Sequence, residues 1–295
     1  MSVNTSAVAV GRKFGEALKA ARLATPGGNG RPLRQKDVAD AMARGTRDRY
    51  SRLERGRAFP DAEEWKIIRS VLKMDAATQA RLEALIEAGK EIADYWWREF
   101  EDEFPESLLQ FVAFEDAAQR ITTCAPNILP SLLQTPGYAR SLTSRVAGSV
   151  LTSYAVERSV ELRRKRRGVF SKPNPPIVEF LFSEAALRQV VGGKEVMLKQ
   201  LDSLIEDGAA RNISLRVIPF AAVAPSPYMV HLLEFGGPDD LPISAFDSMT
   251  GMSFQKRPRD IRENRYYIEA MKNLALSHLE TAEMINEIRK EMSSA

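Results

Sequence analysis

Short helical patterns separated by glycine and proline breaks fill the start of the chain, and they restrict this region to a set of small helices. Residues 12–24 place Phe14, Leu18 and Leu23 near one helical face. Residues 25–32 then break the helix with two prolines and three glycines. This break is longer than a tight turn, so the next helix is expected to be a separate element.

Two further helices follow with well-defined ends. The first covers residues 35–42, where the small side chain of Ala39 lets a second helix cross closely. After a turn at residues 44–45, Thr46 is a good N-cap for the next helix, which Gly56 ends. The residues predicted to face inward are Val38, Ala39, Met42, Tyr50 and Leu53.

A fourth helix is predicted to begin at Asp61. Asp61 and Glu64 stand at the N-cap and N3 positions of a capping box, in which each side chain bonds the backbone N–H of the other residue. The side chains that this helix is expected to bury are Trp65, Ile68 and Leu72. We therefore predict an all-α, five-helix domain over residues 1–75.

Charge is segregated along the chain, although the net charge is only +3. Residues 1–60 carry thirteen Lys and Arg against five Asp and Glu, whereas residues 61–120 carry seven against fifteen. Residues 121–180 are basic again, with nine against three. Because exposed charges attract over a Debye length of roughly 8–10 Å, local charge decides which partners approach. The basic start of the chain is therefore a candidate nucleic-acid face.

The remaining composition excludes several classes of protein. The single cysteine, Cys124, rules out an internal disulfide framework and is typical of a reducing cytoplasm. His231 and His278 lie far apart with no CxxC or HxxxH spacing, so we expect no metal site and no cofactor. No run approaches the roughly eighteen apolar residues of a membrane span, and the start lacks a secretory leader pattern. We expect a cytoplasmic, nucleoid-associated protein.

A family pattern is visible between residues 35 and 72. Its residues are Gln35, Val38, Ala39, Tyr50, Leu53, Glu54, Gly56, Pro60 and Leu72. The pattern resembles the phage-repressor (xenobiotic-response-element type) helix-turn-helix family, and the segment from Glu54 to Pro60 is among its more specific marks. Two features depart from that family: the turn before Thr46 is one residue longer than usual, and Tyr50 stands where an aliphatic residue is common.

The resemblance implies that the third helix enters the major groove of DNA and contacts base edges. The matching outward residues are Arg47, Asp48 and Arg52. Arginine can bind guanine O6 and N7 bidentately, and aspartate can accept a hydrogen bond from cytosine N4. Phosphate contacts, which position a protein without reading sequence, are assigned to Gln35, Lys36, Thr46, Arg49 and Ser51. The alternative is that these arginines only solvate an exposed helix.

Residues 76–104 are predicted to form a linker helix with apolar residues at helical spacing. Its acidic residues form either a solvated polar face or a surface that pairs with a second copy or keeps DNA away. Trp96 and Trp97 are adjacent and cannot share a helix face. One of them is therefore expected to pack into the following domain.

Residues 105–295 alternate strand and helix patterns, which indicates an α/β or α+β domain with a small sheet. Strands are predicted at residues 175–183, 213–220, 228–235 and 241–249. Helices are predicted over residues 185–208, interrupted at Gly192 and Gly193, and again from about Asp260 to Lys290. The chain as a whole is thus predicted to be multidomain.

The C-terminal region carries a second family pattern. Its segments are Trp97, residues 129–142, the basic residues Arg163, Arg166 and Arg167, and residues 183–204, 213–220 and 228–235. Together they resemble the C-terminal domain of unassigned function that accompanies this helix-turn-helix in many actinobacterial regulators. The departures are Ser131 for glycine, Arg167 for glutamine, and Asp247 where a glutamate-bearing strand is usual.

The C-terminal region has several candidate ligand or partner residues. They are Trp97, Gln134, Tyr138, Arg163, Arg166, Tyr228 and His231. Residues 163–167 form a solvated helix end, a surface for an anion or acidic partner, or an extra DNA backbone contact. Residues 220–229 either border an apolar pocket or simply connect two strands. No GxSxG motif or glycine-rich phosphate loop accompanies His231, which is expected to be packed or pore-lining, so we do not expect an enzyme.

Three functions remain open. The first is a dimeric transcription regulator, a repressor, whose C-terminal domain senses a small molecule. In the second, that domain binds a small companion protein, as in antitoxin-like arrangements. The third is an enzyme tethered to DNA. Related repressors pair to match two-fold operators, so the first two predict a homodimer on palindromic double-stranded DNA.

Overall fold

The computed structural model divides the chain into two compact units, Met1–Arg98 and Glu99–Ala295. The residues that it describes are 7–28, 30–42, 47–90, 96–147, 151–222, 228–237, 240–248 and 251–294. The structure confirms the predicted layout of a helical N-terminal region followed by a mixed sheet with C-terminal helices. Within these residues no helix combines the length and apolarity that a membrane crossing requires.

The N-terminal unit is a bundle of short helices around one apolar core. Its helices are α1 (Ala7–Ala24), α2 (Gln35–Ala41), α3 (Arg47–Glu54), α4 (Ala62–Leu72) and α5 (Ala76–Lys90). The predicted inward residues Val38, Ala39, Met42, Tyr50 and Leu53 are all buried. Leu23 was expected to face inward but is exposed, because Phe14, Leu18 and Ala21 follow the i, i+4, i+7 stripe that Leu23 misses.

Helix α5 belongs to this bundle by its packing. Leu82 and Ile86 are buried in the same core as Phe14 and Tyr50. The sequence pattern predicts a linker helix over residues 76–104. The described part of that segment instead contains α5 and a 3₁₀ helix, Trp96–Phe100. The apolar spacing of Leu82 and Ile86 therefore reflects their burial in the core of the N-terminal unit.

Glycines let α1 cross the end of α3 with direct backbone contact. Gly56 follows α3 with a left-handed φ of 70°, which an L-residue with a side chain rarely adopts. A Cβ atom at Gly56 would overlap the carbonyl oxygen of Gly11 on α1, and one at Gly15 would overlap that of Glu54. The crossing thus fixes where α3 ends and how it lies on α1.

The C-terminal unit contains seven helices and six strands in its described residues. They are α6 (Glu106–Ala117), β1 (Arg120–Ala125), α7 (Pro136–Ala147), α8 (Ser153–Arg166), β2 (Ile177–Ser183), α9 (Ala185–Arg188), α10 (Lys194–Gly208), β3 (Ile213–Ile218), β4 (Val230–Glu234), β5 (Ile243–Ser248), β6 (Gly251–Gln255), α11 (Pro258–Leu274) and α12 (His278–Ser294). Short 3₁₀ helices cover Ser131–Leu133 and Arg167–Ser171. The break between α9 and α10 falls at Gly192 and Gly193, as the sequence predicted.

The strands form one mixed sheet in the order β3-β2-β1-β4-β5-β6. Strands β1, β2 and β3 are parallel, whereas β4, β5 and β6 run antiparallel to their neighbours. The four predicted strands correspond to β2 through β5. Strands β1 and β6 were not predicted, because Thr122 and Thr123 interrupt the apolar run of β1 and β6 is half exposed.

Helices cover both faces of this sheet. On one face, Ile261, Ile268 and Met271 of α11 pack against the sheet residues Cys124 and Leu181. On the other face lies α6, whose Phe111 contacts His231 of β4. A sheet covered on both faces explains why the central strands are almost entirely buried.

Candidate functional site

Helix α3 has one buried face and one exposed polar face. Tyr50 and Leu53 are fully buried, and Glu54 is buried beside them. Arg47 and Asp48 are exposed, whereas Arg52 is partly buried. The outer face contains Arg47, Asp48, Ser51, Arg52 and Arg55. The three residues assigned to base contacts therefore share one accessible face.

Arg55 is a member of this face that the sequence analysis did not include. Its Nη2 donates to Ser51 Oγ at 2.9 Å and its Nε donates to the Ser51 carbonyl oxygen at 3.2 Å. Nη2 also lies 3.8 Å from Asp48 Oδ1. Arg55 lies one helical turn after Ser51 and Arg52, and this spacing could have identified it from the sequence.

Arg49 fastens α3 to α4. Its Nε and Nη2 donate to Glu64 Oε1 and Oε2 at 2.8 and 2.6 Å, and Nη2 also donates to the Phe59 carbonyl oxygen at 3.1 Å. Glu64 is itself part of the predicted capping box with Asp61, which the structure confirms. The geometry thus gives Arg49 a role inside the domain, whereas the sequence analysis assigned it to a phosphate.

The Arg49–Glu64 pair predicts a pH-dependent stability. The hydrogen bond from Arg49 holds the pKa of the Glu64 carboxyl below its ordinary value of 4.5. A lowered carboxyl pKa stabilises the fold above the unfolded pKa, and this contribution is lost as pH falls through the folded pKa. Glu64→Gln keeps the capping box but removes the charge, so we expect it to destabilise the N-terminal unit by about 1 kcal/mol at neutral pH.

Urea unfolding followed by tryptophan fluorescence measures this difference, because Trp65, Trp96 and Trp97 all lie in the N-terminal unit. The difference in free energy of unfolding between the unmodified chain and Glu64→Gln should become smaller as pH is lowered below 4.5. A gap that stays constant across that range would show that the ion pair does not contribute.

A buried polar network joins α1, α2 and α3. The guanidinium of Arg22 donates to both carboxylate oxygens of Glu54, with Nη2 3.1 Å from Oε2, and its Nη1 donates to the Leu33 carbonyl oxygen at 2.5 Å. Gln35 Nε2 donates to Glu54 Oε2 at 2.8 Å. Gln35, which the sequence analysis assigned to a phosphate, therefore helps to hold the start of α2 against α3.

Positive charge is concentrated at the end of α3. Burial, with smaller contributions from Arg55 and Arg52, lowers the pKa of the Arg57 guanidinium to about 10. Three arginines this close together create a positive local potential, which attracts phosphate. Of the other residues assigned to phosphates, Lys36 is exposed on α2 and Ser51 lies on α3. Thr46 lies outside the described residues.

In the C-terminal unit, a buried ion pair connects α6 and α8. Nε and Nη2 of Arg166 donate to Oε1 and Oε2 of Glu115, both at 2.8 Å. The two side chains are only 6% and 3% exposed, so neither charge has ready access to water. The guanidinium also lies 5.2 Å from the ring centroid of Phe111.

His231 lies beside this pair in the centre of the sheet. Its Nδ1 is 3.0 Å from Thr123 Oγ1, and its Nε2 is 3.3 Å from Asp247 Oδ1. Burial disfavours the charged form of Asp247, but His231, Arg166 and Arg163 outweigh it and hold the pKa of Asp247 below its ordinary value. Three residues chosen from the sequence, Arg163, Arg166 and His231, are thus brought together around Asp247.

The basic run 163–167 is directed mostly into the protein. Arg163 donates to Ser159, and burial lowers the pKa of its guanidinium to about 10. Arg167 binds Asp207 with both Nη atoms, and Lys165 Nζ lies 2.6 Å from Glu99 Oε1. Among residues 163–167, all described, only Arg164 is exposed. The interpretation of this run as a solvated helix end is therefore wrong.

The other candidates from the sequence lie elsewhere in the structure. Gln134 and Tyr138 are buried and contact the backbone of Leu129, to which Gln134 Nε2 donates at 2.7 Å. Tyr228 is exposed, and Trp97 is buried with its ring edge-on to Trp96. Gln134 and Tyr138 therefore belong to a buried group around Leu129. No group of three or more His, Cys, Asp or Glu among the described residues is arranged to hold a metal ion.

Comparison with known proteins concerns the C-terminal unit. A family model described as a domain of unknown function (DUF5753) matches residues 108–287. The chain belongs to this family. No curated protein and no solved structure matches the chain significantly. The match begins in α6 and ends in α12, so the DUF5753 region contains the cluster around Asp247 and none of α1–α5.

Several residues of the DUF5753 region could not have been selected from the sequence. Glu115 and Asp207 are separated from their arginine partners by 51 and 40 positions. Thr123 lies in a strand that was not predicted. No local spacing connects such residues, because the sheet and α8 bring them together only in the folded chain.

Proposed function

We propose that this protein is a sequence-specific, DNA-binding transcription regulator that reads DNA with α3. The observation that carries the proposal is the division of α3 into a buried face, with Tyr50 and Leu53, and an accessible face, with the exposed Arg47 and Asp48 and the partly buried Arg52. Helix α2 packs across α3, and the Arg22–Glu54–Gln35 network and the Arg49–Glu64 pair fix α3 in place. A rigidly held helix with an exposed basic face is what major-groove recognition requires.

Each residue then has a defined task. Arg47 and Arg52 donate to guanine O6 and N7, and Asp48 accepts from cytosine N4. Arg55 orients Asp48 and adds positive charge. Lys36 and Ser51 contact phosphates, and Thr46, which directly precedes α3 in the sequence, is assigned the same task. Gln35 and Arg49, whose side chains are engaged within the domain, position α2 and α3.

The first test measures affinity for a duplex selected from a random pool. Arg47→Ala or Arg52→Ala should weaken binding by about 1–3 kcal/mol, or roughly 5- to 150-fold. Arg69→Ala is the matched control, because Arg69 is an exposed arginine on α4 that forms a surface ion pair with Glu83. Equal affinities of the Arg52 and Arg69 variants would contradict the assignment of α3.

We further propose that the chain binds as a homodimer and that its DUF5753 region receives the signal. One α3 helix covers only half of a two-fold site, and dimers match half-sites one helical turn apart. Sedimentation of the chain with and without the selected duplex tests this. The expected result is two chains per duplex, whereas a monomer under both conditions would contradict the dimer but leave the role of α3 intact.

A further inference from the structure

A crevice opens where the three parallel strands of the C-terminal sheet end. Its volume is about 270 Å³. Cys124 and Ala125 end β1, Ser183 ends β2 and Ile218 ends β3, so all three strands contribute their carboxyl ends. Residues 126–127 and 219–220, which directly follow β1 and β3, complete this part of the lining. Met271 of α11 closes one side. In sheets of this kind, ligands bind outside the carboxyl ends of the strands where the strand order reverses.

The strand order places such a reversal at this edge. Strands β2 and β3 extend to one side of β1, whereas β4 pairs with the other side and runs antiparallel. The chain leaves β3 at Ile218 and enters β4 at Val230, which pairs with Cys124 at the carboxyl end of β1. Both ends of this connection therefore lie at the edge that contains the crevice.

The chemistry of the lining indicates the class of ligand. Ile218, Pro219, Phe220, Ala222 and Met271 contribute apolar side chains, but polar atoms form at least as much of the lining surface. Asn127 and Ser183 add an amide and a hydroxyl, and none of the described lining residues carries a formal charge. Burial raises the pKa of the Cys124 thiol to about 12, so this group is uncharged at neutral pH.

The rim of the crevice is held by contacts outside it. The carboxylate of Glu184, just after β2, accepts from the Phe220 backbone N–H at 2.9 Å and from Arg188 Nε at 2.6 Å. These bonds fix the segment after β3 against the end of β2. The ring of Phe220 remains 61% exposed although it lines the crevice, which leaves an apolar surface at the entrance.

We propose that this crevice binds an uncharged small molecule that combines an apolar part with polar groups that hydrogen-bond Asn127 and Ser183. A volume of about 270 Å³ is near the lower end of ligand sites, which span about 300–1,000 Å³. If the chain is the proposed regulator, occupancy of the crevice changes its affinity for DNA. Only this consequence rests on the proposed function. Binding itself is measured on the full chain without DNA.

The test uses N-phenyl-1-naphthylamine, a neutral fluorescent probe, and its anionic relative 8-anilinonaphthalene-1-sulfonate. We expect saturable binding of one neutral probe per chain and weaker binding of the anion, because the described lining residues include no cation. Asn127→Trp places a large side chain in the crevice and should lower the affinity for the neutral probe by at least about tenfold. Ile177→Trp is the control, since Ile177 is exposed at the opposite, amino edge of β2.

Thermal denaturation verifies that each variant is folded, and Ala222→Trp replaces Asn127→Trp if that variant is not. The proposal is overturned if the neutral probe shows no saturable binding, if the anion binds as tightly, or if the Asn127 and Ile177 variants bind equally. Affinity of the same preparations for the selected duplex is measured in parallel. If the unmodified chain binds the duplex but shows no saturable probe binding, the crevice proposal alone is refuted. If it binds the probe but selects no duplex, the regulator function alone is refuted.

Discussion

Replacing Glu115 with alanine is expected to destabilise the C-terminal unit by about 3–5 kcal/mol. The substitution leaves the guanidinium of Arg166 buried without its carboxylate partner, on a side chain that is only 6% exposed. Arg166 lies close enough to Arg163 to lower the pKa of the Arg163 guanidinium. The unpaired charge of Arg166 would therefore face a second positive charge. Hydrogen exchange of peptides from β1 and β2 reports this loss, because both strands lie in the centre of the sheet.

The chain contains a matched control for this prediction. Arg140 and Glu157 form a pair of similar geometry, with Nη2 2.8 Å from Oε2, but both side chains are about half exposed. Glu157→Ala should therefore cost less than about 1 kcal/mol. Suppose that Glu115→Ala and Glu157→Ala lost the same protection from hydrogen exchange. Burial would then not be the reason why the Glu115–Arg166 pair stabilises the C-terminal unit.

Replacing Gly56 with alanine is expected to destabilise the N-terminal unit by about 2–5 kcal/mol. The left-handed φ of Gly56 is unfavourable for alanine, and the added Cβ would overlap the backbone of Gly11. Because α1 and α3 meet through backbone atoms here, no side chain can move aside to accommodate the methyl group. The end of α3 would shift, and we expect affinity for DNA to fall together with stability.

Urea unfolding followed by tryptophan fluorescence measures the effect of Gly56→Ala. Gly28→Ala is its control, since a Cβ atom at Gly28 would meet no other atom within 4 Å. That variant should lie within about 0.5 kcal/mol of the unmodified chain. A Gly56 variant as stable as the Gly28 variant would show that the close crossing of α1 and α3 is not needed.

The helices of the N-terminal unit could be predicted because their information is local. Apolar spacing identified Val38, Tyr50 and Leu53 as buried, and the capping box identified the start of α4 at Asp61. Leu23 shows the limit of this method, since any apolar residue near a stripe is counted as part of it. Only the packed bundle shows that Ala21 occupies the inward position.

Much of the C-terminal unit could not be predicted because its determinants are distant in sequence. Strand β1 carries adjacent threonines, Thr122 and Thr123, which are buried only because helices cover both faces of the sheet. The basic run at Arg166 looked solvent-exposed, since nothing in its neighbourhood predicts a carboxylate partner 51 positions earlier. A run of charged residues therefore identifies an exposed surface only when the partners of those residues in the folded chain are known.

The most direct test of the proposed function compares the DNA sequences that different variants select from a random duplex pool. The unmodified chain should enrich one sequence with two-fold symmetry. Arg52→Ala or Asp48→Ala should lose the base preference at one or two positions of each half-site and retain the others. Identical selected sequences from these variants and the unmodified chain, or no enrichment by the unmodified chain, would contradict the proposal that α3 reads DNA.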